Sequence, residues 1–135
     1  FTSAPLKGAV ELFGAPLLSL EAWADQPGFD LCVALSRLNG SGEVLQLCTG
    51  VARWLGQGCL RAGQRQVRLQ PLLASLQRGE QLRLSIGLAA WPQIAVNPGT
   101  GALPLGASGP YHREITVQLQ LSGASLCIEP MVGAN

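Results

Sequence analysis

From Arg113 to Leu121 apolar and polar side chains alternate without a break. Ile115, Val117, Leu119 and Leu121 fall on one side; Glu114, Thr116, Gln118 and Gln120 fall on the other. A period of two is the spacing of a strand with one face on a core and the other in water. The pattern recurs after the turn signal Arg78-Gly79, where Leu82, Leu84, Ile86 and Leu88 alternate with Gln81, Arg83, Ser85 and Gly87. It recurs again from Leu17 to Ala24, with Leu18, Leu20, Ala22 and Ala24 on one side. No stretch sustains a helical period. The chain must therefore bury its apolar side chains between sheets.

The turns divide the chain into short strands. Val10–Phe13 reads as a strand closed by Gly14, and Asp25-Gln26-Pro27-Gly28 as a turn. Asp30–Leu38 is apolar on both faces, through Leu31, Val33 and Leu35 and through Cys32 and Ala34, which suits a central strand. Asn39-Gly40 is a hairpin signal, because both residues accept positive φ. Val44–Cys48 returns antiparallel, and Thr49–Leu55 follows. Gln66–Leu72 alternates through Val67 and Leu69, and residues 71–76 read as a single helical turn. Trp91-Pro92 ends the strand after Arg78, since proline supplies no ladder donor. Ser125–Ile128 is a last strand, ended by Pro130. Phe1–Leu6 is an extended lead-in.

These segments add up to eight or nine strands. One-sided strands build sandwiches. The long connections at Gly56–Gly63 and Gly99–Pro110 suit crossovers between sheets. The expected fold is all-β: a two-sheet antiparallel jelly-roll sandwich, galactose-binding-domain-like, in one domain over residues 1–135.

Composition excludes several functions. Charged residues make up 13% and the formal net charge is +1, so no basic surface argues for nucleic acid. No apolar run reaches the ~18 residues of a membrane helix. The cysteines, Cys32, Cys48, Cys59 and Cys127, form no C-x-x-C pair, and His112 is the only histidine. That spacing gives no metal site, and the thiols read as free in a reducing, cytoplasmic compartment. The chain opens on Phe1 and has its one methionine at Met131, so it reads as a piece of a longer polypeptide.

Catalytic patterns are missing too. G-x-S-x-G is absent; Gly106-Ala107-Ser108-Gly109-Pro110 has proline in the last position. His112 reads as a strand-entry residue. The acidic residues form no pair with unequal surroundings, and Gly99–Gly109 is followed by no Lys-Ser/Thr, so neither glycosidase nor phosphate-loop chemistry is indicated. No cofactor is expected. Trp23, Trp54 and Trp91 could form a sugar-stacking platform, the alternative being a core or interdomain role.

The segments in their order resemble the C-terminal domain of the X-Pro dipeptidyl-peptidase and cocaine-esterase family of α/β-hydrolases. Phe1-Thr-Ser-Ala-Pro-Leu6 is similar to the aromatic-Thr-Ser-x-Pro-Leu entry of that domain, and Glu11–Pro16 to its Gly-x-Pro turn. Asp30–Leu35 is similar to its Asp-x-x-Val-x-Leu strand, with Asn39–Gly42 as the turn that follows. Gly50-Val-Ala-Arg53 is similar to its Gly-x-x-Arg. Gly79–Asn97 resembles its Gly-His-Arg-Leu-Arg-Leu strand, with Glu80 and Gln81 in place of His-Arg and Leu76 where an aromatic is usual. The resemblance implies a non-catalytic accessory domain that braces a catalytic α/β-hydrolase domain of the same chain, walls its cleft or aids a homodimer. The triad would lie upstream, so no catalytic residue is carried over. Arg53, Trp54, Trp91 and Asn97 are the candidates for interdomain contact. The competing function is a carbohydrate-binding module with a tryptophan platform.

Overall fold

The computed structural model describes residues 1–129. Its strands are β1 (Val10–Ala24), β2 (Gly28–Leu38), β3 (Val44–Leu55), β4 (Gly63–Arg68), β5 (Leu72–Leu76), β6 (Gln81–Gly87) and β7 (Val117–Glu129), with a 3-10 turn at Gln57–Leu60. One sheet has the order β3-β2-β6. In the other, β1 pairs with β4, β5 and β7. Every pairing is antiparallel. The buried faces meet in one core, in which Leu18, Leu20 and Ala22 of β1 pack with Phe29, Leu31, Val33 and Leu35 of β2. The expected β-sandwich is present, and β2 is the central strand of its sheet, as its two apolar faces suggest.

Seven strands, rather than eight or nine, are present among the described residues. Gly14 does not close the first strand; buried, with φ 138°, it lets β1 run on into the Leu17–Ala24 segment. The Val44–Cys48 and Thr49–Leu55 segments are one strand, bulged opposite Leu35 and Ser36. The final two segments also fuse. β7 begins at Val117 rather than Arg113, and residues 121–124 bulge out where its register to β1 shifts between Ser19 and Glu21. The helical turn expected at 71–76 is instead β5, because Leu72–Leu76 finds strand partners in Val10–Gly14. Local propensity loses there to a ladder formed with distant residues. Pro130, read as the end of the last strand, lies outside the described residues.

The crossovers fall where the turn signals put them. Residues 56–62 carry the chain from β3 in one sheet to β4 in the other, and residues 88–116 carry it from β6 to β7. The hairpin at Asn39 closes with Gly42 donating to the Asn39 carbonyl at 3.1 Å, and the Asn39 side-chain oxygen accepts from the Ser41 and Glu43 amides. The lead-in does more than extend. Ser3 and Leu6 donate to the carbonyls of Leu82 and Glu80, each at 2.8–2.9 Å, and Leu84 donates to Phe1. It thus covers the outer edge of β6. Gln81, one of the two departures from the family strand, donates to the Ser3 carbonyl at 2.6 Å; the other, Glu80, accepts from the Gln77 amide at 2.7 Å and pairs with Arg37.

All four thiols are unpaired: Cys48 and Cys59 are buried, Cys32 half-buried and Cys127 exposed. Burial pushes the Cys32, Cys48 and Cys59 thiols up, helped at Cys32 by the nearby Asp30 carboxylate. A folded value above the unfolded one means this contribution is complete below the unfolded pKa of ~8.5 and is lost as pH rises through the raised values. Titration with an aromatic disulfide under native conditions is expected to modify Cys127 promptly. Cys32, half-buried, should react more slowly, and Cys48 and Cys59 only after denaturant is added; fast reaction at Cys48 or Cys59 would contradict this burial.

Candidate interdomain site

Asp30 is an acid in the middle of an apolar strand, and its side chain is fully buried. A carboxylate cannot be left in such a place without partners. On the outer face of the three-stranded sheet, β2–β3 register sets Arg53 directly opposite it. The guanidinium makes a two-pronged pair: Nε donates to Oδ1 at 2.9 Å and a terminal nitrogen to Oδ2 at 2.7 Å. This planar, bidentate match is the strong form of the interaction. Arg53 is held charged chiefly by that hydrogen bond, which raises its pKa further.

The remaining valences tie down the crossover that leaves β6. Arg53 also donates to the Ala95 carbonyl. Asn97 donates to Asp30 Oδ1 at 2.9 Å, and its own side-chain oxygen accepts from the Gly99 amide at 3.0 Å. Gly28 explains how Asn97 fits: a Cβ there would stand 2.8 Å from the Asn97 oxygen. Among the described residues no buried side-chain polar atom lacks a partner. Three residues from three elements thus form one satisfied cluster. It pins residues 95–99 across the sheet, where loops ordinarily slide.

The four candidate residues separate. Arg53 and Asn97 meet on Asp30. Trp54 lies on the other face of β3, inside the sandwich, 5.1 Å from the Phe29 ring, with the Arg65 guanidinium 5.6 Å from its centroid. Trp91 projects from the pinned crossover, 55% exposed. Sequence reasoning missed Asp30 as the anchor. The signal was available: a charge inside the apolar run Phe29–Leu35 must find a partner if the strand is central.

The same crossover displays Leu88, Leu103, Leu105 and Tyr111 to solvent. His112 braces it from below. Its Nδ1 accepts from the Gly109 amide at 2.9 Å, and Nε2 lies 3.4 Å from the Val96 carbonyl. Ser108 is exposed. Beneath Ala90 and Gln93, a groove of about 300 Å³ runs over Cys32, Ala34, Thr49, Val51 and Ser85. Among the described residues no group of His, Cys, Asp and Glu could hold a metal, and no helix is long and apolar enough to cross a membrane. The arrangement sets exposed apolar side chains, with no charged residue between 88 and 112, on a crossover pinned at residues 95–99 to a buried ion pair.

Residues 1–125 match the family model of the X-Pro dipeptidyl-peptidase C-terminal non-catalytic domain. The chain belongs to that family. As a member of it, the domain shares its fold with an α-amino acid ester hydrolase at 18% identity and a TM-score of 0.80, over 95% of this chain and 24% of that one. It is similar also to an aminopeptidase from a marine sediment archaeon of the Thaumarchaeota (16% identity, TM-score 0.74, 88% of this chain and 23% of that one). A CocE/NonD family hydrolase from Staphylococcus aureus matches at 16% identity and a TM-score of 0.66, over 95% of this chain and 29% of that one. The chain therefore spans about a quarter of these proteins' lengths. A search of curated proteins found no match.

Proposed function

We propose that this family member serves as the accessory domain of a longer serine hydrolase, of the X-Pro dipeptidyl-peptidase or acyl-esterase type, and docks on its catalytic α/β-hydrolase domain. One observation carries the reading. The Asp30–Arg53–Asn97 cluster spends a buried ion pair on holding still a crossover whose outward residues, Trp91, Leu103, Leu105 and Tyr111, are apolar and exposed. Exposed apolar clusters free of charged side chains are typical of the buried cores of protein interfaces. The four unpaired thiols suit a reducing, cytoplasmic setting. Two copies meeting by these residues are the homodimeric form of the same reading.

The glycan-binding alternative draws little from the geometry. Trp54 is inside the sandwich, Trp23 is half-buried on the outward side of β1, and Trp91 stands on the crossover, so the three rings share no face. Incubated with p-nitrophenyl esters and X-Pro amides, the chain is expected to show no turnover above buffer. A Trp91→Ser, Leu105→Ser double variant should unfold within about 0.5 kcal/mol of the parent, as surface positions do. Turnover abolished by Ser108→Ala would overturn the accessory reading. Loss of the fold in the double variant would move these residues from interface to core.

A further inference from the structure

Between β6 and β7 the sandwich has an open flank. There a slot of about 200 Å³ runs inward between the sheets, lined by Phe1, Leu20, Leu84, Ile86, Leu121 and Ala124 among others, with Ser125 its one polar side chain. The slot exists because of the β7 bulge. Ser19 pairs with Ser125 and Glu21 with Gln120, so nothing of β7 stands opposite Leu20. Leu18 and Leu20, 3% and 1% exposed, form its floor. A cavity of about 150 Å³ with aliphatic and aromatic walls is enough to hold benzene. This one has room for a phenyl or branched-alkyl group and no charged side chain in its walls; the Phe1 ammonium beside it is taken up by the Leu84 carbonyl at 2.7 Å.

The backbone beside the slot narrows the occupant. Among the described residues β7 pairs with β1 alone, so its other edge offers unpaired N–H and C=O groups. An edge of that kind takes up an extended peptide by strand addition, with side-chain pockets choosing the sequence. We propose that the slot is the side-chain pocket of a strand-addition site: an extended segment of the longer hydrolase polypeptide pairs with the free edge of β7 and seats one apolar side chain over Leu20. Two facts favour a segment of the same polypeptide. Phe1 lines the slot, so any residues joined ahead of it enter the molecule at this mouth. The similar hydrolases are about four times this chain's length, which supplies such segments. The proposal rests on the accessory-domain reading and adds the partner's chemistry.

The probe is an acetylated, amidated seven-residue peptide alternating threonine and valine around a central leucine, titrated into the chain. Saturable binding is expected, with slowed hydrogen exchange along β7, at least about tenfold weakening when the central leucine becomes aspartate, and the same loss in Ala124→Leu, which fills the slot. Retained or raised melting temperature in Ala124→Leu shows that the variant still folds. No saturable binding at millimolar peptide, binding without protection of β7, or binding unchanged in Ala124→Leu overturns the proposal. So does concentration-dependent dimerisation that protects β7 in the absence of peptide, which would make a second copy the occupant. None of these failures touches the accessory reading, which is decided by the turnover assay.

Discussion

Arg53→Ala is expected to destabilise the chain by about 3–5 kcal/mol, the cost of stranding a buried carboxylate. The Asp30 side chain is fully buried and takes three of its hydrogen bonds from Arg53 and Asn97. Alanine removes two of these and the compensating charge. It also frees the Ala95 carbonyl and lets the crossover lift from the sheet. Chemical denaturation checks the size, and hydrogen exchange at residues 95–99 checks the place. Because the cost comes from the orphaned acid, Asp30→Leu combined with Arg53→Met should recover much of the loss, in a double-mutant cycle with strong coupling. Added salt should change little, since a pair this buried is poorly screened. A loss under about 1 kcal/mol in Arg53→Ala would mean that water replaces the guanidinium and that the crossover is not pinned as described.

Gly50→Ala is expected to cost about 3 kcal/mol, at the upper end for forced overpacking. Gly50 faces inward from β3, opposite Val33, against the short connection that runs along β1 from β4 to β5. A Cβ there would stand 2.9 Å from Leu69 Cα and closer still to the Arg68 carbonyl oxygen. Neither is the yielding tip of a side chain. That connection cannot retreat either, because Leu69 donates to the Pro16 carbonyl and Gln70 to the Thr49 carbonyl, both at 2.8 Å. Gly40→Ala is the control, with nothing within 4 Å of the added carbon. A lower urea midpoint in Gly50→Ala with Gly40→Ala unchanged confirms the close approach. Equal midpoints refute it.

The Gly50-x-x-Arg53 spacing shows what can be read along a chain and what cannot. Three residues apart on a strand are opposite faces, so the glycine and the arginine serve different surfaces: one admits a facing backbone, the other neutralises an acid. The motif is visible in the sequence; its two separate reasons are not. Trp54 shows the same limit. Its place beside Arg53 in sequence suggests a shared surface, yet strand alternation turns it inward against Phe29. Trp91 and Asn97 differ likewise within one crossover, one solvent-exposed and the other buried on Asp30.

Alternation by twos, the Asn39-Gly40 turn and the scarcity of charge were sufficient, from the residues alone, for a two-sheet β-sandwich with β2 central, and the ordered motifs were sufficient for the family. These are local or additive properties: a side chain's face depends on its neighbours' parity, and a turn on its own φ. Only the tertiary structure decided that residues 72–76 form a strand, that Gly14 is passed through rather than ending a strand, that the last two segments fuse into β7, and that Asp30 anchors the crossover. Each depends on a partner far away in sequence: Val10–Gly14 for β5, β1 for both ends of β7, and Arg53 and Asn97 for Asp30. A buried charge or an unpaired strand demands a partner by its own chemistry, but which residue answers is set by how the sheets pack.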